Sequence, residues 1–318
     1  MKALYFDKSL QLGDYPKPKR SYNEALIRVL LAGICNTDLE IVKGYGGFKG
    51  VLGHEFVGVV DACNNSELLE KRVVGEINCA CGKCKYCLNG LNTHCKDRTV
   101  LGIQDRHGAF AEYLILPEDN LHLISDNISD EEAVFVEPLA AAFQITQQLH
   151  IRPRDRVVVL GDGKLGLLVA QVLYLTCCNL LVVGKHPSKL FVLQDKGIRT
   201  SLIGDLKKNE ADIVIESTGS HDGLDMALRL IRPKGTIVLK STIAKKGAFD
   251  LTSMVVNEIT IVGSRCGPFP PAIRALGKRM VDVKSLISNI YSIDNGIDAF
   301  KQASKKGVLK ILIKMNGN

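Results

Sequence analysis

The sequence lacks tryptophan, and aromatic residues make up only 6% of its 318 residues. It also lacks any block of like charge, because 41 Lys and Arg are interspersed with 34 Asp and Glu and leave a net charge of +7. A nucleic-acid-binding face requires clustered basic residues. We therefore expect small-molecule partners rather than nucleic acids.

The opening residues do not predict a secretory signal, because they reach charged side chains before an apolar core can form. One apolar stretch, Leu165 to Gly184, is long enough for a membrane span. It begins in a Gly-rich turn and ends in a Val-Val-Gly strand pattern, so we interpret it as a buried helix followed by a buried strand. These features predict a cytoplasmic protein without a membrane segment, whose ten cysteines favour metal binding over disulfides.

The pattern of apolar residues divides the chain into two parts, and its length already favours two domains. Up to about residue 150, short β-like runs alternate with Gly-rich loops, which predicts a compact β-rich domain. From Arg156, apolar strands alternate with helices, which is typical of a doubly wound parallel sheet in an α/β fold. The strands of this sheet are expected at 157–160, 180–183, 212–216, 236–239 and 259–262.

The domain boundaries follow from this change of pattern. We place the β-rich domain at 1–147 and the parallel-sheet domain at 148–285. A helix from Pro138 to His150, with Glu137 at its cap, marks the transition. The last strand, near 308–314, alternates like the N-terminal strands, so we expect the segment 286–318 to return to the first domain.

Four thiols, Cys81, Cys84, Cys87 and Cys95, lie at spacings of three, three and eight residues. This spacing suits a tetrahedral zinc ion with no open position, which indicates a structural role in a loop with little apolar surface. An iron–sulfur cluster is the alternative, but its clustered motifs end in a shorter gap followed by proline. Cys79 is close enough to replace one of the four ligands.

A second potential ligand set is scattered along the chain as Cys35, His54 with Glu55, and Glu137. A thiolate, an imidazole and a carboxylate suit zinc with a fourth position open for water or substrate. Each residue alone is as well explained by a structural role. The other histidines have no such context and are predicted to be structural: His94, His107, His122, His150, His186 and His221.

The Gly161-x-Gly163-x-x-Gly166 turn follows an apolar strand and begins a helix at Lys164 and Leu165. The first glycine permits a tight turn, the second lets a pyrophosphate approach the backbone, and the third packs the helix on the strand. Free N–H groups at the helix start attract the phosphate charge. The turn predicts a dinucleotide site, the alternative being glycines that serve tight packing alone.

The end of the second strand predicts which dinucleotide binds. NAD sites usually have an acid there, which accepts the ribose 2′-hydroxyl. Here Gly184 stands in that place and leaves room where a carboxylate would repel a 2′-phosphate, while Lys185 and Lys189 could pair with it. We predict NADP(H) rather than NAD(H); the alternative is two solvated lysines and no preference.

Taken in order, five segments resemble the zinc-dependent medium-chain alcohol dehydrogenases, particularly the sorbitol and threonine dehydrogenase-like branch. They are Gly33-Ile-Cys-Asn-Thr-Asp-Leu, Gly53-His-Glu, the four-cysteine loop, Val136-Glu-Pro-Leu-Ala and the Gly161 turn. The resemblance covers essentially the whole chain. It implies a GroES-like catalytic domain, a Rossmann domain between its two segments, and a homodimer or homotetramer.

The resemblance also implies residue roles. Cys35 and His54 would bind a catalytic zinc, with Glu55 and Glu137 as third ligand or close carboxylate partners, because the directly bound carboxylate can change with catalytic state in this family. Two further roles fall on the first of these segments: Thr37 matches the hydroxyl that passes the substrate proton onward, and Asp38 matches the acid that orients the zinc-bound histidine.

Two departures from the family pattern affect the outer proton path. Asn36 stands where the motif often has Gly or Arg, and Glu40 stands where a His ends the relay in well-studied relatives. The implied reaction is hydride transfer between an alcohol or polyol, or its carbonyl product, and the nicotinamide. A zinc-free quinone or enone reductase and a catalytically silent sensor on the same scaffold are the alternatives.

Overall fold

The computed structural model describes residues 1–205, 210–220, 222–242 and 250–316, so His221 lies outside the described residues. The chain forms two compact units. The first comprises Met1–Glu137, Phe269–Lys278 and Ile287–Asn318, and the second comprises Pro138–Pro268 and Arg279–Leu286. The domain boundaries that we placed from the sequence stay a prediction.

The N-terminal part of the first unit is rich in short strands, as its alternating sequence predicts. The strands are β1 Lys2–Asp7, β2 Ser9–Asp14, β3 Glu24–Gly33, β4 Gly50–Val51, β5 Glu55–Ala62, β6 Arg72–Gly75, β7 Asn78–Cys79, β8 Thr99–Leu101, β9 Asp105–Arg106, β10 Tyr113–Pro117 and β11 Leu121–Leu123. The helices are α1 Asn36–Val42, α2 Lys85–Leu88 and α3 Asp130–Ala133. Helix α4, Val136–Gln148, begins at the end of this segment.

The second unit is built on a parallel sheet. Its strands are β12 Arg156–Leu160, β13 Asn179–Gly184, β14 Arg199–Leu202, β15 Ala211–Glu216, β16 Ile231–Leu239 and β17 Thr260–Gly263. Its helices are α5 Lys164–Tyr174, α6 Pro187–Gln194, α7 Asp222–Leu230 and α8 Leu251–Val256. The spatial order is β14-β13-β12-β15-β16-β17. All five expected strands are present, and edge strand β14 was missed because it is short and three of its four residues are polar.

The C-terminal elements are α9 Phe269–Gly277, β18 Ile287–Ser292, α10 Gly296–Ala303 and β19 Lys310–Lys314. Strand β19 pairs antiparallel with β3 and parallel with β18. The prediction that the last strand joins the N-terminal sheet is therefore confirmed. Single 3₁₀ turns lie at Tyr45–Gly47, Asn92–His94, Glu118–Asn120, Ile203–Asp205, Lys284–Leu286 and Ile293–Asn295.

The main sheet of the first unit has the order β11-β6-β5-β3-β19-β18, with β10 also paired to β3. At one end, Gly33 of β3 pairs with Glu55 of β5, and Leu312 of β19 pairs with the same Gly33. Three strands from distant parts of the chain thus meet at Gly33. A Cβ there would lie 2.6 Å from a Glu55 carboxylate oxygen, so only glycine leaves room for that side chain.

Apolar side chains bury the inner faces of each unit separately. In the first unit the rings of Phe110 and Phe300 pack edge to face, with centroids 5.5 Å apart. In the second unit, valines and isoleucines of the parallel strands form the core, including Val158, Val183 and Val214.

Among the described residues, no helix is long and apolar enough to cross a membrane. The stretch 165–184 forms most of α5 and β13, as interpreted from the sequence.

Gly53 fixes the direction in which the chain enters the site. Its φ of +95° lies in the left-handed region, and a Cβ on it would lie 2.9 Å from the ring of Phe110. Its N–H donates to Asp38 Oδ1 at 3.3 Å and its carbonyl accepts from Ala109 N at 2.9 Å. The turn therefore holds the next residue, His54, between α1 and the core.

We expect Gly53→Ala to lower the free energy of unfolding by roughly 2–4 kcal/mol, since left-handed strain adds to overpacking against Phe110. Gly44→Ala is the matched control, because its φ is +102° but no atom lies within 4 Å of its Cβ position. It should cost only about 1 kcal/mol. Urea unfolding measures both, and equal losses would contradict the steric role of Phe110.

Candidate functional site

Cys35, His54 and Glu55 converge at one end of the main sheet in the first unit. One ligand atom from each, the thiol sulfur, a ring nitrogen and a carboxylate oxygen, lie within 4.8 Å of one another. Cys35 immediately precedes α1, His54 follows the Gly53 turn, and Glu55 begins β5. The His54 and Glu55 side chains are almost completely buried, and Cys35 is half-buried.

The buried Asp38 carboxylate organises this group. Its Oδ2 accepts the backbone N–H of Cys35 at 2.8 Å, and its Oδ1 accepts the N–H of Gly53. Oδ1 also lies 3.3 Å from His54 Nδ1, without the alignment of a good hydrogen bond. Because a carboxylate only accepts protons, this contact favours a proton on Nδ1 and leaves Nε2 as the nitrogen for a metal.

Electrostatics at His54 reflect the same neighbours. Burial of the ring lowers the pKa of His54, but the charges of Asp38 and Cys35 together outweigh it and raise the pKa well above its ordinary value. The surroundings of His54 therefore favour a positive charge on its ring. A metal ion that replaces the proton would meet the same negative surroundings.

Lys310 of β19 is the partner of Glu55, and the sequence analysis missed it. Its Nζ donates to Glu55 Oε2 in a buried ion pair, with side-chain exposures of 2% and 1%. Burial lowers the pKa of Lys310, but the charges of Glu55 and Cys35 outweigh it, so the pKa is raised. The sequence does contain a sign of this pair, because Lys310 is a charged residue at an inward position of an apolar strand.

The second oxygen of Glu55, Oε1, is buried and has no hydrogen-bond partner among the described residues. A buried carboxylate oxygen without a donor is costly, so it needs a further cation or donor. Within a group that also contains a thiol and an imidazole, this oxygen fits a metal ligand. The donor set suits zinc.

Glu137 lies outside the group whose ligand atoms are within 4.8 Å of one another. Helix α4 begins at Val136, so Glu137 is in its first turn rather than at its cap. Its charge still contributes to the raised pKa of Lys310. Of the two candidate carboxylates, the structure brings Glu55 to Cys35 and His54.

The predicted proton-transfer residue, Thr37, also lies beside this group. Thr37 is half-buried, and its Oγ1 lies 3.8 Å from Cys35 Sγ.

The thiols of Cys81, Cys84, Cys87 and Cys95 form a second cluster, all within 4.8 Å of one another. Backbone N–H of Cys87 lowers the pKa of Cys84 to about 6, whereas desolvation and neighbouring thiols raise the pKa of Cys87 to about 12. The Cys81 N–H also donates to the sulfur of Cys95 at 3.4 Å. Cys79 is buried outside the cluster.

The Gly-rich turn of the second unit joins β12 to α5. Gly161 has a φ of +119°, and a Cβ on it would lie 2.6 Å from the carbonyl oxygen of Ser217. Gly166 packs against the carbonyl of Gly161. At Gly163, by contrast, no atom lies within 4 Å of a Cβ position, so the backbone is open for the approach of a ligand. Lys164 and Leu165 begin the helix.

The room that we expected at Gly184 is taken, so this detail of the sequence interpretation is wrong. A Cβ on Gly184 would lie 2.6 Å from Oδ2 of Asp162, whose side chain reaches from the turn to the end of β13. Lys185 is exposed just beyond this point, and Lys189 lies in the first turn of α6. Sequence spacing alone does not predict that an acid in the turn fills the space beside Gly184, because the two residues meet only in the folded sheet.

Comparison with known proteins places both units in context. The family model of the alcohol dehydrogenase GroES-like domain matches residues 21–126, and that of the zinc-binding dehydrogenase matches residues 165–281. The sorbitol dehydrogenase of Halalkalibacterium halodurans is 27% identical, covering 94% of this chain and 93% of that protein. The D-arabitol-phosphate dehydrogenase of Enterococcus avium is 29% identical, covering 95% and 93%.

Among solved structures, the alcohol dehydrogenase rspB of Escherichia coli CFT073, in complex with NADH, has a TM-score of 0.90 at 27% identity and covers 99% of both chains. The predicted fold class, a GroES-like β-rich domain with a doubly wound Rossmann domain, is confirmed.

The buried ion pair gives a stability prediction. Lys310→Met leaves the Glu55 charge without its cation, so we expect the free energy of unfolding of the metal-free protein to fall by about 3–5 kcal/mol. Adding Glu55→Gln should recover much of this loss, because no unpaired charge remains. Because the folded pKa of Lys310 is raised, the contribution is complete below its ordinary pKa and is lost only at higher pH.

Urea unfolding at neutral pH measures these variants. Lys301→Met is the control, since the Lys301–Asp298 pair is 71% and 66% exposed. It should change stability by less than about 0.5 kcal/mol. A loss for Lys310→Met as small as that of the control would show that the buried pair does not stabilise the fold.

Proposed function

Because this chain belongs to the zinc-type medium-chain alcohol dehydrogenases, we propose that it transfers a hydride reversibly between the CH–OH carbon of an alcohol or polyol and a nicotinamide cofactor. The observation that carries this proposal is the convergence of Cys35, His54 and Glu55 in a chain that also has an open Gly-rich turn. The polyol dehydrogenases among the relatives support a polyol as substrate.

The catalytic residues would hold one zinc ion. We assign its ligands to Cys35, His54 and Glu55, with Glu137 as a nearby carboxylate partner. The unpartnered Oε1 of Glu55 and the acceptor Nε2 of His54 support this set. When bound, the ion supplies Lewis-acid polarisation of the substrate oxygen, which makes its proton easier to remove.

The surrounding residues orient the ligands and move the proton. Asp38 holds Cys35 through the backbone N–H of Cys35 and orients the His54 ring, and Lys310 pairs with the Glu55 carboxylate. Thr37 would receive the substrate proton at Oγ1 and pass its own hydroxyl proton towards solvent, since its side chain is half-buried. Glu40 lies three residues further along the same face of α1, but its carboxylate pairs with Lys43, so it is not assigned to the proton path.

The four-cysteine cluster would hold a second zinc ion. Its ligand set of Cys81, Cys84, Cys87 and Cys95 leaves no open position, so the role is structural. The protein would then contain two zinc ions per chain.

The Gly-rich turn would bind the dinucleotide. Open backbone at Gly163 and the first N–H groups of α5 suit the pyrophosphate. Lys185 and Lys189 would pair with a 2′-phosphate, so NADP(H) is the proposed preference.

A homodimer or homotetramer is also proposed, supported by three apolar side chains that are 68–75% exposed on α8: Leu251, Val255 and Val256. A cytoplasmic location stays a prediction.

The catalytic assignment predicts that His54→Ala lowers turnover by at least about 100-fold. This is more than the loss of a residue that only orients a metal ligand usually costs. Zinc content should fall from two ions per chain to one, while NADPH binding, followed by nicotinamide fluorescence, is retained. Cys63→Ala, a half-exposed thiol outside both clusters, should change neither.

A panel of alcohols and polyols, read at the absorbance of the reduced nicotinamide, provides the assay. Full turnover without zinc would favour a quinone or enone reductase. A wild-type protein that binds the cofactor but oxidises no alcohol and reduces no carbonyl would favour a silent sensor.

The cofactor preference is tested by steady-state kinetics. We expect a lower KM for NADP than for NAD, and Lys185→Ala or Lys189→Ala should raise the KM for NADP about tenfold through loss of a charge-assisted contact. The KM for NAD should stay within about twofold, since the lost contact involves only the 2′-phosphate. Lys301→Ala serves as the control, and a lower KM for NAD in the wild type would overturn the preference.

A further inference from the structure

Asp162 stands between the first two glycines of the turn, and its side chain points to the end of β13. Its Oδ2 accepts the backbone N–H groups of Lys185 and His186, each at 2.6 Å. The His186 ring nitrogen Nδ1 lies 3.0 Å from the same oxygen and 3.1 Å from Oδ1. Because the carboxylate only accepts, His186 must donate through Nδ1.

This carboxylate is ionised and nearly enclosed, with a side-chain exposure of 10%. Burial raises the pKa of Asp162, but the hydrogen bonds from His186 and Lys185 outweigh it and lower the pKa. A negative charge therefore stands at the end of β13, although the strand itself contributes none.

Asp162 and Gly184 are complementary in shape. A Cβ on Gly184 would lie 2.6 Å from both Cβ and Oδ2 of Asp162. A side chain at 184 and the acid at 162 therefore cannot coexist without a shift of the backbone. The missing acid of the strand is replaced in space by an acid from the turn.

One oxygen of Asp162 keeps capacity for a ligand. Oδ2 receives two backbone N–H groups, whereas Oδ1 only shares the His186 proton with it. Each carboxylate oxygen has two lone pairs, so Oδ1 can accept a further hydrogen bond. In an open α/β sheet, ligands bind beyond the carboxyl ends of the strands, which is where this oxygen lies.

We propose that Asp162 accepts a hydrogen bond from the 2′-hydroxyl of the adenosine ribose of NAD(H), a proposal that rests on the proposed dinucleotide site. This contact sets how strongly the chain discriminates between NAD(H) and NADP(H). The two lysines at 185 and 189 favour a 2′-phosphate, and the carboxylate opposes it. NAD(H) is therefore bound as a second cofactor, although the strand end has no acid of its own.

The first test compares the Kd values of NADH and NADPH, read by nicotinamide fluorescence, for wild type and Asp162→Asn. Asn keeps the shape, but its single acceptor oxygen is taken by the N–H groups of Lys185 and His186, so an NH2 group replaces the acceptor Oδ1 and the charge is removed. The Kd of NADH should rise about tenfold, the usual effect of losing a hydrogen bond to a charged group, while that of NADPH stays equal or falls. An equal loss for both cofactors would overturn the proposal, because it would show that Asp162 only shapes the loop.

An NADH analogue without the 2′-hydroxyl of the adenosine ribose tests direct contact. Wild type should bind it about tenfold more weakly than NADH, and Asp162→Asn should bind the two nearly equally. Undiminished discrimination in the variant would contradict a contact between Asp162 and this hydroxyl.

A third test moves the carboxylate from position 162 in the turn to position 184 at the end of β13. Asp162→Gly should weaken NADH binding, and the double variant with Gly184→Asp should restore it, because the acid then occupies the strand end without the clash. Failure of the double variant to recover NADH binding, in a folded protein that still binds NADPH, would count against the proposal. If the wild type binds neither cofactor, the proposed function fails instead.

Discussion

The buried pair of Glu55 and Lys310 is the constraint on which the candidate metal site depends. Two charges removed from water destabilise a protein unless they meet in good geometry, and here they come from strands 255 residues apart. The C-terminal strand must therefore return to β3 before Glu55 has its counter-ion beside Cys35 and His54. Pairing of the last strand with β3 and assembly of the ligands therefore depend on each other in this unit.

The same physical device occurs in each unit. Asp38 and Asp162 are both buried carboxylates that accept two backbone N–H groups and face the ring of a nearby histidine. Each also adjoins a glycine that could not carry a side chain, Gly53 in one unit and Gly184 in the other. A buried carboxylate that organises loop backbone thus shapes both the candidate metal site and the end of the strand that follows the Gly-rich turn.

Much of the fold could be predicted because its signals are local. Apolar runs placed five of the six described strands of the second unit's sheet, and cysteine spacing identified the sulfur cluster, since four thiols within fifteen residues can meet without help from distant segments of the chain. Strand β14 was missed because only one of its four residues, Leu202, is apolar. The start of α4 was misplaced, because the sequence suggested a cap at Glu137 where the helix already continues from Val136.

By itself the sequence determined which chemical groups are present: two potential metal-ligand sets, a Gly-rich turn and two lysines after the second strand of the parallel sheet. The tertiary structure decided how they combine. It brought Glu55 rather than Glu137 to Cys35 and His54, supplied Lys310 as its counter-ion, and filled the space beside Gly184 with an acid from another loop. Local spacing fixes the identity of a group, but pairing between buried charges depends on strands that meet only when the chain has folded.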